Sequence, residues 1–265
     1  MDSMMNKPLR VFLVQFMVLY CFTCFSSVEL LSNAETRTVK ENEFPSFASL
    51  VSLRPIYRIF CCGTLVTGIF VLTTANCFSK YPIEDSVVFA GFSTLNLQGT
   101  HEIAEWISYS DWALQNDVSH VPDDTDLGLV RLRRPISFSA NIGIAQLPLQ
   151  YDVPIQNLRV SLVGWPDIYG NENLRTGSLS TILSSTCKNS FRNPTQTKII
   201  EGKIFCSQPG PNPNKNDEGG PVFYNGRVLV GINYWARSRD QQPSMNLHIN
   251  YLLQRNFIES IIHTR

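Results

Sequence analysis

Lys215-Asn216-Asp217-Glu218-Gly219-Gly220-Pro221 is the stretch on which the reading of this chain depends. Two glycines and a proline in succession make a tight turn, and the acidic pair Asp217-Glu218 stands at its entrance. Taken alone, Asp-x-Gly-Gly-Pro is a pattern that a surface turn can produce. Its meaning comes from what lies on either side.

Downstream lies the segment Val230-Gly231-Ile232-Asn233-Tyr234-Trp235. Beyond it Leu252, Leu253, Phe257, Ile258, Ile261 and Ile262 recur at helical spacing, which predicts a closing helix within Asn250 to Thr264. Upstream the chain is a series of short apolar runs: Gly164-Trp165-Pro166, then Asp126-Leu127-Gly128-Leu129-Val130-Arg131-Leu132 with Pro135-Ile136, then Val71-Leu72-Thr73-Thr74-Ala75-Asn76-Cys77. Before these come Phe60-Cys61-Cys62-Gly63-Thr64-Leu65-Val66 and the alternating stretch Phe44 to Leu53, a first strand after the polar arm Arg37 to Glu43.

Six of these segments, in this order over about residues 44 to 263, resemble the chymotrypsin-like (S1) serine proteases, in the inactive serine protease homologue branch abundant in arthropods. The resemblance implies an all-β fold of two antiparallel six-stranded β-barrels with a C-terminal helix and the site between them. It sets Lys215 to Pro221 on the family's Gly-Asp-Ser-Gly-Gly-Pro loop, which lifts the nucleophile and turns two backbone N–H groups toward the oxyanion. It sets Asn76 at the catalytic His, Asp126 at the triad Asp and Glu218 at the Ser. No cofactor and no metal is implied.

Residues 1–34 stand apart. Lys7 and Arg10 precede the apolar run Val11 to Phe25, with small residues at Ser32 and Ala34, the pattern of a secretory signal peptide; a cut near Ser26 is the other reading. The apolar core is shorter than the roughly 20 residues that a spanning helix needs. Residues 35–265 then form one S1 peptidase-like domain, secreted and extracellular. The whole chain carries 22 basic and 22 acidic residues, and removing Lys7, Arg10, Asp2 and Glu29 takes two from each. No global field steers a partner, which argues against nucleic acid or an anionic membrane as the main target. Arg131, Arg133 and Arg134 form a small basic cluster.

Cys21 and Cys24 leave with the signal, so five of seven cysteines remain, an odd number in an oxidising compartment. The resemblance implies the bridges Cys61–Cys77 and Cys187–Cys206, which leaves Cys62 where active relatives have a glycine. Two readings stand for Cys62: a buried inert thiol, or a disulfide that links the chain to a second copy or to its partner.

The implied chemistry is a loss. An amide at position 76 has no basic nitrogen to take a proton, and Glu218 has no hydroxyl to activate. The activation apparatus differs too: Arg37-Thr38-Val39 is the nearest segment to the family's Ile-Val start, and Ile59 stands where many zymogens have a His for the Asp of the loop. Asp217 therefore lacks both family partners, and it must either turn to solvent or find a hydrogen-bonding loop. In the specificity pocket Asn214 replaces a Cys, Asn212 falls at the base within Pro209 to Pro213, and Ala236 replaces a Gly.

The expectation is a catalytically inactive pseudo-protease that binds an extracellular protein, a protease or a zymogen, as cofactor, decoy or adaptor in a protease cascade, venom or saliva. The alternative is a glycan or microbial-surface binder using the arginine cluster. A minor alternative is a hydrolase of another type that pairs Asp126 with Glu218 across Asn76.

Overall fold

The computed structural model describes residues 36–264 except 92, 95–98, 119–124, 150–154, 166–172, 192–202, 209–214, 236–243 and 249–251. The expected signal segment, the pocket positions Asn212, Asn214 and Ala236, and Pro166 lie outside the described residues.

Thirteen strands carry the described chain: β1 (Thr36–Thr38), β2 (Phe47–Ser52), β3 (Arg58–Leu65), β4 (Phe70–Thr73), β5 (Ser86–Ala90), β6 (Thr100–Ser108), β7 (Gly128–Leu132), β8 (Arg159–Gly164), β9 (Arg175–Ser180), β10 (Ile204–Ser207), β11 (Pro221–Tyr224), β12 (Val228–Trp235) and β13 (Ser244–His248). The first six after β1 close into a barrel in the order β2-β3-β4-β7-β6-β5. All pairings are antiparallel, which short connections between successive strands permit.

Where the resemblance implies a second six-stranded barrel, the described residues of the second half form a seven-stranded sheet in the order β1-β9-β8-β11-β12-β13-β10, six strands with β1 added at one edge. Its far edge curls back nonetheless: a bridge joins Thr181 to Ser207, and the Ile182 and Gln208 N–H groups donate to the Cys206 and Ser180 carbonyls.

Alternation along the barrel strands divides their side chains between two apolar clusters. Ala48, Leu50, Cys61, Leu65, Val71, Val88, Val130 and Leu132 fill the barrel. Phe47, Val51, Cys62, Phe70, Leu72, Phe89 and Leu129 face the other way and pack with Trp165, Phe223, Leu229, Ile232 and Leu247 of the second half. Every residue of β2 is buried as a result. Phe47 and Phe89 meet Trp165 at ring centroids of 6.5 and 6.4 Å, and the Trp165 indole N–H donates to Ser49 Oγ at 2.8 Å. This seam sets the floor of the cleft.

Helix α1 (Tyr109–Gln115) starts at Ser108, whose Oγ accepts the Asp111 N–H at 3.0 Å as an N-cap. Helix α2 (Ser184–Ser190) carries Cys187, and helix α3 (Leu252–Thr264) closes the chain. α3 buries Phe257, Ile258 and Ile261, with Phe257 against Tyr109 and Trp112 of α1 at 5.7 and 5.5 Å. Cys61 bonds Cys77 and Cys187 bonds Cys206, while Cys62 is free and buried. Among the described residues no helix is long and apolar enough to cross a membrane, and no group of three or more His, Cys, Asp or Glu is placed to hold a metal ion.

Candidate functional site

Antiparallel pairing of β4 with β7 puts Thr73 opposite Gly128. The chain leaving β4 enters a 3₁₀ turn, Ala75–Ser79, beside the residues that lead into β7. Asn76 and Asp126 are thereby neighbours: the Asn76 backbone N–H donates to Asp126 Oδ1 at 2.6 Å. Gly128 makes the approach close, since a Cβ there would stand 2.4 Å from the Phe78 ring.

Glu218 reaches the same place from the second half. The loop before it is a 3₁₀ turn, Lys215–Asp217, and the loop after it is held by backbone bonds. The Cys62 N–H donates to the Glu218 carbonyl, the Gly219 N–H to the Asn233 carbonyl, and the Gly220 N–H to the Asp217 carbonyl, all at 2.8 to 2.9 Å. Gly219 is required twice over. Its φ is +79°, and a Cβ there would fall 2.1 Å from Thr73 Oγ1 and 2.5 Å from the Cys62 carbonyl.

Both oxygens of the Glu218 carboxylate have donors. Oε1 accepts from Asn76 Nδ2 at 2.8 Å and from Thr74 Oγ1 at 3.3 Å, and Oε2 pairs with Lys80 Nζ at 2.7 Å. The Lys80 ammonium also donates to the Phe60 carbonyl at 3.2 Å. Both side chains of this ion pair are largely shielded, at 26% and 15% exposure. Asn76 thus holds one carboxylate on its backbone N–H and the other on its amide, and Lys80 completes the set.

Burial pushes the Asp126 carboxyl up to about 7; the Glu218 charge adds to the rise, while the Asn76 N–H and the Lys80 ammonium oppose it. Asp217 takes the second of its two expected courses. It is fully buried, and Oδ1 accepts the Trp165 N–H at 2.9 Å. Gly164 makes room for it, because a Cβ there would stand 2.2 Å from Oδ1. Cys62 presents its side chain on the face opposite to Cys61, with Sγ 3.3 Å from the Asn216 carbonyl. At 0% exposure that thiol cannot meet another chain unless the seam opens.

Asn76, Asp126, Asp217 and Glu218 are therefore brought together, as is Cys62. The arginine cluster is not a free basic patch: Arg131 Nε pairs with Glu105 at 2.9 Å and Arg133 Nε with Glu102 at 3.0 Å. Sequence reasoning missed Lys80, Thr74 and the Trp165 N–H. The one available signal was a lysine four residues after Asn76 in a turn that faces the cleft.

A closed β-barrel and a second sheet, with a shielded polar constellation at the end of the seam between them, define the trypsin-like class of fold. The chain belongs to the trypsin family: residues 34–255 match the family named Trypsin. Relatives include a venom serine protease of Polistes dominula, 24% identical over 80% of this chain and 79% of that one. The snake venom serine protease salmonase of Gloydius brevicauda is 25% identical over 94% of each chain. The crystal structure of the scabies mite inactivated protease paralogue S-I1 superposes with a TM-score of 0.68 at 17% identity, covering 86% of this chain and 99% of that one.

Proposed function

We propose that this chain is a secreted, catalytically silent member of the trypsin family that works by binding an extracellular protein, as a cofactor, decoy or adaptor for a protease or zymogen. Asn76 stands at the family's base and Glu218 at its nucleophile. One observation carries the reading: these two groups are hydrogen-bonded to each other, with Lys80 on the remaining carboxylate oxygen. An amide has no basic nitrogen to take a proton, and a carboxylate held by three donors, one of them an ammonium, is a poor nucleophile toward an amide carbonyl. The same occupancy weighs against the hydrolase alternative, whose second carboxylate would have to reach a substrate or a water.

A glycan-binding role would use Arg131, Arg133 and Arg134, and the first two are already paired with glutamates. Protein binding is thus the favoured reading. The two disulfides and the typical secretion of the family support an extracellular setting.

The test has two arms. The purified chain, incubated with a fluorophosphonate probe and with a mixed peptide library, is expected to take no label and to cleave nothing above background. Turnover that disappears in Glu218→Ala would overturn the proposal. In the second arm, crosslinking in the native fluid is expected to trap a protease or zymogen on this chain. Retention on a sulfated glycan, released by salt, with no protein trapped would give preference to the glycan reading.

A further inference from the structure

The missing base and nucleophile leave one question open, which is why the backbone of the loop is folded as it is. Residues 215–217 form a 3₁₀ turn, in which each N–H points along the turn axis to the carbonyl three residues earlier. An oxyanion site needs two N–H groups that converge on one point. Asn216 is not among the residues of positive φ, although its place before the Asp is one where the family has a glycine.

Cys62 touches this loop on both sides of Asp217. Its N–H donates to the Glu218 carbonyl at 2.8 Å, and its Sγ lies 3.3 Å from the Asn216 carbonyl. The residue itself cannot shift, since its own carbonyl accepts Thr73 Oγ1 at 2.7 Å and its side chain is closed in the seam between the halves. Burial, with the Asp217 charge, pushes the thiol well up, so it stays protonated and can donate. A glycine at position 62 would keep the backbone contact and lose the one to Asn216.

We propose that Cys62 is a positioning residue: its thiol, donating to the Asn216 carbonyl, keeps residues 215–217 in a turn where no oxyanion-binding pair of N–H groups assembles. The proposal is separate from the loss of base and nucleophile, and its test restores both. Asn76→His with Glu218→Ser is made in three forms, carrying Cys62, Cys62→Ser or Cys62→Gly, and each is treated with a fluorophosphonate. The forms with Cys62 and with Cys62→Ser, which keeps a donor, are expected to label slowly. The Cys62→Gly form is expected to label faster by about 100-fold, the order of effect that one oxyanion donor has. Equal rates in all three forms, including no labelling in any, overturn the proposal, as does a Cys62→Ser form that labels like Cys62→Gly.

Amide exchange on the chain with Asn76 and Glu218 in place guards against misfolding of the multiple variants. Cys62→Gly is expected to speed exchange at residues 216–218 by about tenfold, as fits one lost hydrogen bond, with β5, β6 and α3 unchanged. Cys62→Ser should leave residues 216–218 slow. Uniform acceleration across the barrel, or none in the loop, overturns the assignment.

Discussion

The barrel interior and the cleft beside it share strands but are stabilised in different ways. Inside the barrel, Leu50, Leu65, Val71, Val88, Val130 and Leu132 are fully buried against one another, and the free energy there scales with apolar area removed from water. In the cleft, Lys80, Asp126, Asp217 and Glu218 are shielded as charged or titratable groups, and each must find a partner. The difference shows how a polar, shielded cleft is kept beside an apolar interior without unfolding the protein. Glu218 is met by Lys80 and Asn76, and Asp217 by the Trp165 N–H. These contacts satisfy the polar groups of the cleft and leave the barrel interior apolar.

The largest effect is expected in the barrel: Leu132→Ala should cost about 2–5 kcal/mol in urea unfolding, because a fully buried leucine leaves a cavity that the closed strands cannot collapse. A cost below that of the cleft variants would reverse the contrast.

The next effect depends on pH. The folded Asp126 carboxyl titrates near 7 against 3.8 for the free side chain, so the folded state holds a proton that the unfolded state has lost. Its contribution is fully present below 3.8 and is lost as pH rises through 7. Asp126→Asn should therefore stabilise the chain above pH 7, by about 4 kcal/mol at most, and leave it unchanged at pH 3.5. Thermal melts of both proteins across this range check the sign, and an equal change at both ends would remove Asp126 as its source.

The smallest of the three sharpens the cleft. Lys80→Met should cost about 2 kcal/mol, since it keeps the stem and leaves the carboxylate without its cation. Most of that cost should vanish when Glu218→Gln is already in place. A cost that is the same in both backgrounds would mean that the ion pair contributes nothing to stability.

Much of the fold was legible because the motifs stand in the order of the trypsin family, and each motif is a local signal. The opposed directions of Cys61 and Cys62 follow from strand alternation, and the two clusters they join are the barrel interior and the seam. The edge strand β1 was not legible, since an arm of three residues has no period to read. Asn76, Asp126 and Glu218 could be placed from their motifs, but the partners they have taken could not. Lys80 lies far from Glu218 in sequence and meets it only when the two halves dock. The donor to Asp217 is a backbone N–H, which no side-chain identity announces. The arginine pairs depend on register: Arg131 lies opposite Glu105 only once β6 and β7 are aligned around their bulge.

One feature of the amino-terminal arm bears on how the chain fares among proteases. Thr36 to Thr38 pair as β1 with Gly177 to Arg175, and the Arg175 guanidinium donates to the Thr36 carbonyl at 2.9 Å. The Arg37 side chain is folded back onto Glu43, with Nη1 at 2.8 Å from Oε2. A trypsin-like enzyme cutting after Arg37 needs that guanidinium in its own pocket and the flanking backbone pulled into its cleft. Both are already in use, so scission competes with the pairing of the arm. The Arg37–Thr38 bond is expected to be cut more slowly by trypsin than the same bond in a Glu43→Ala variant, which timed digestion would check.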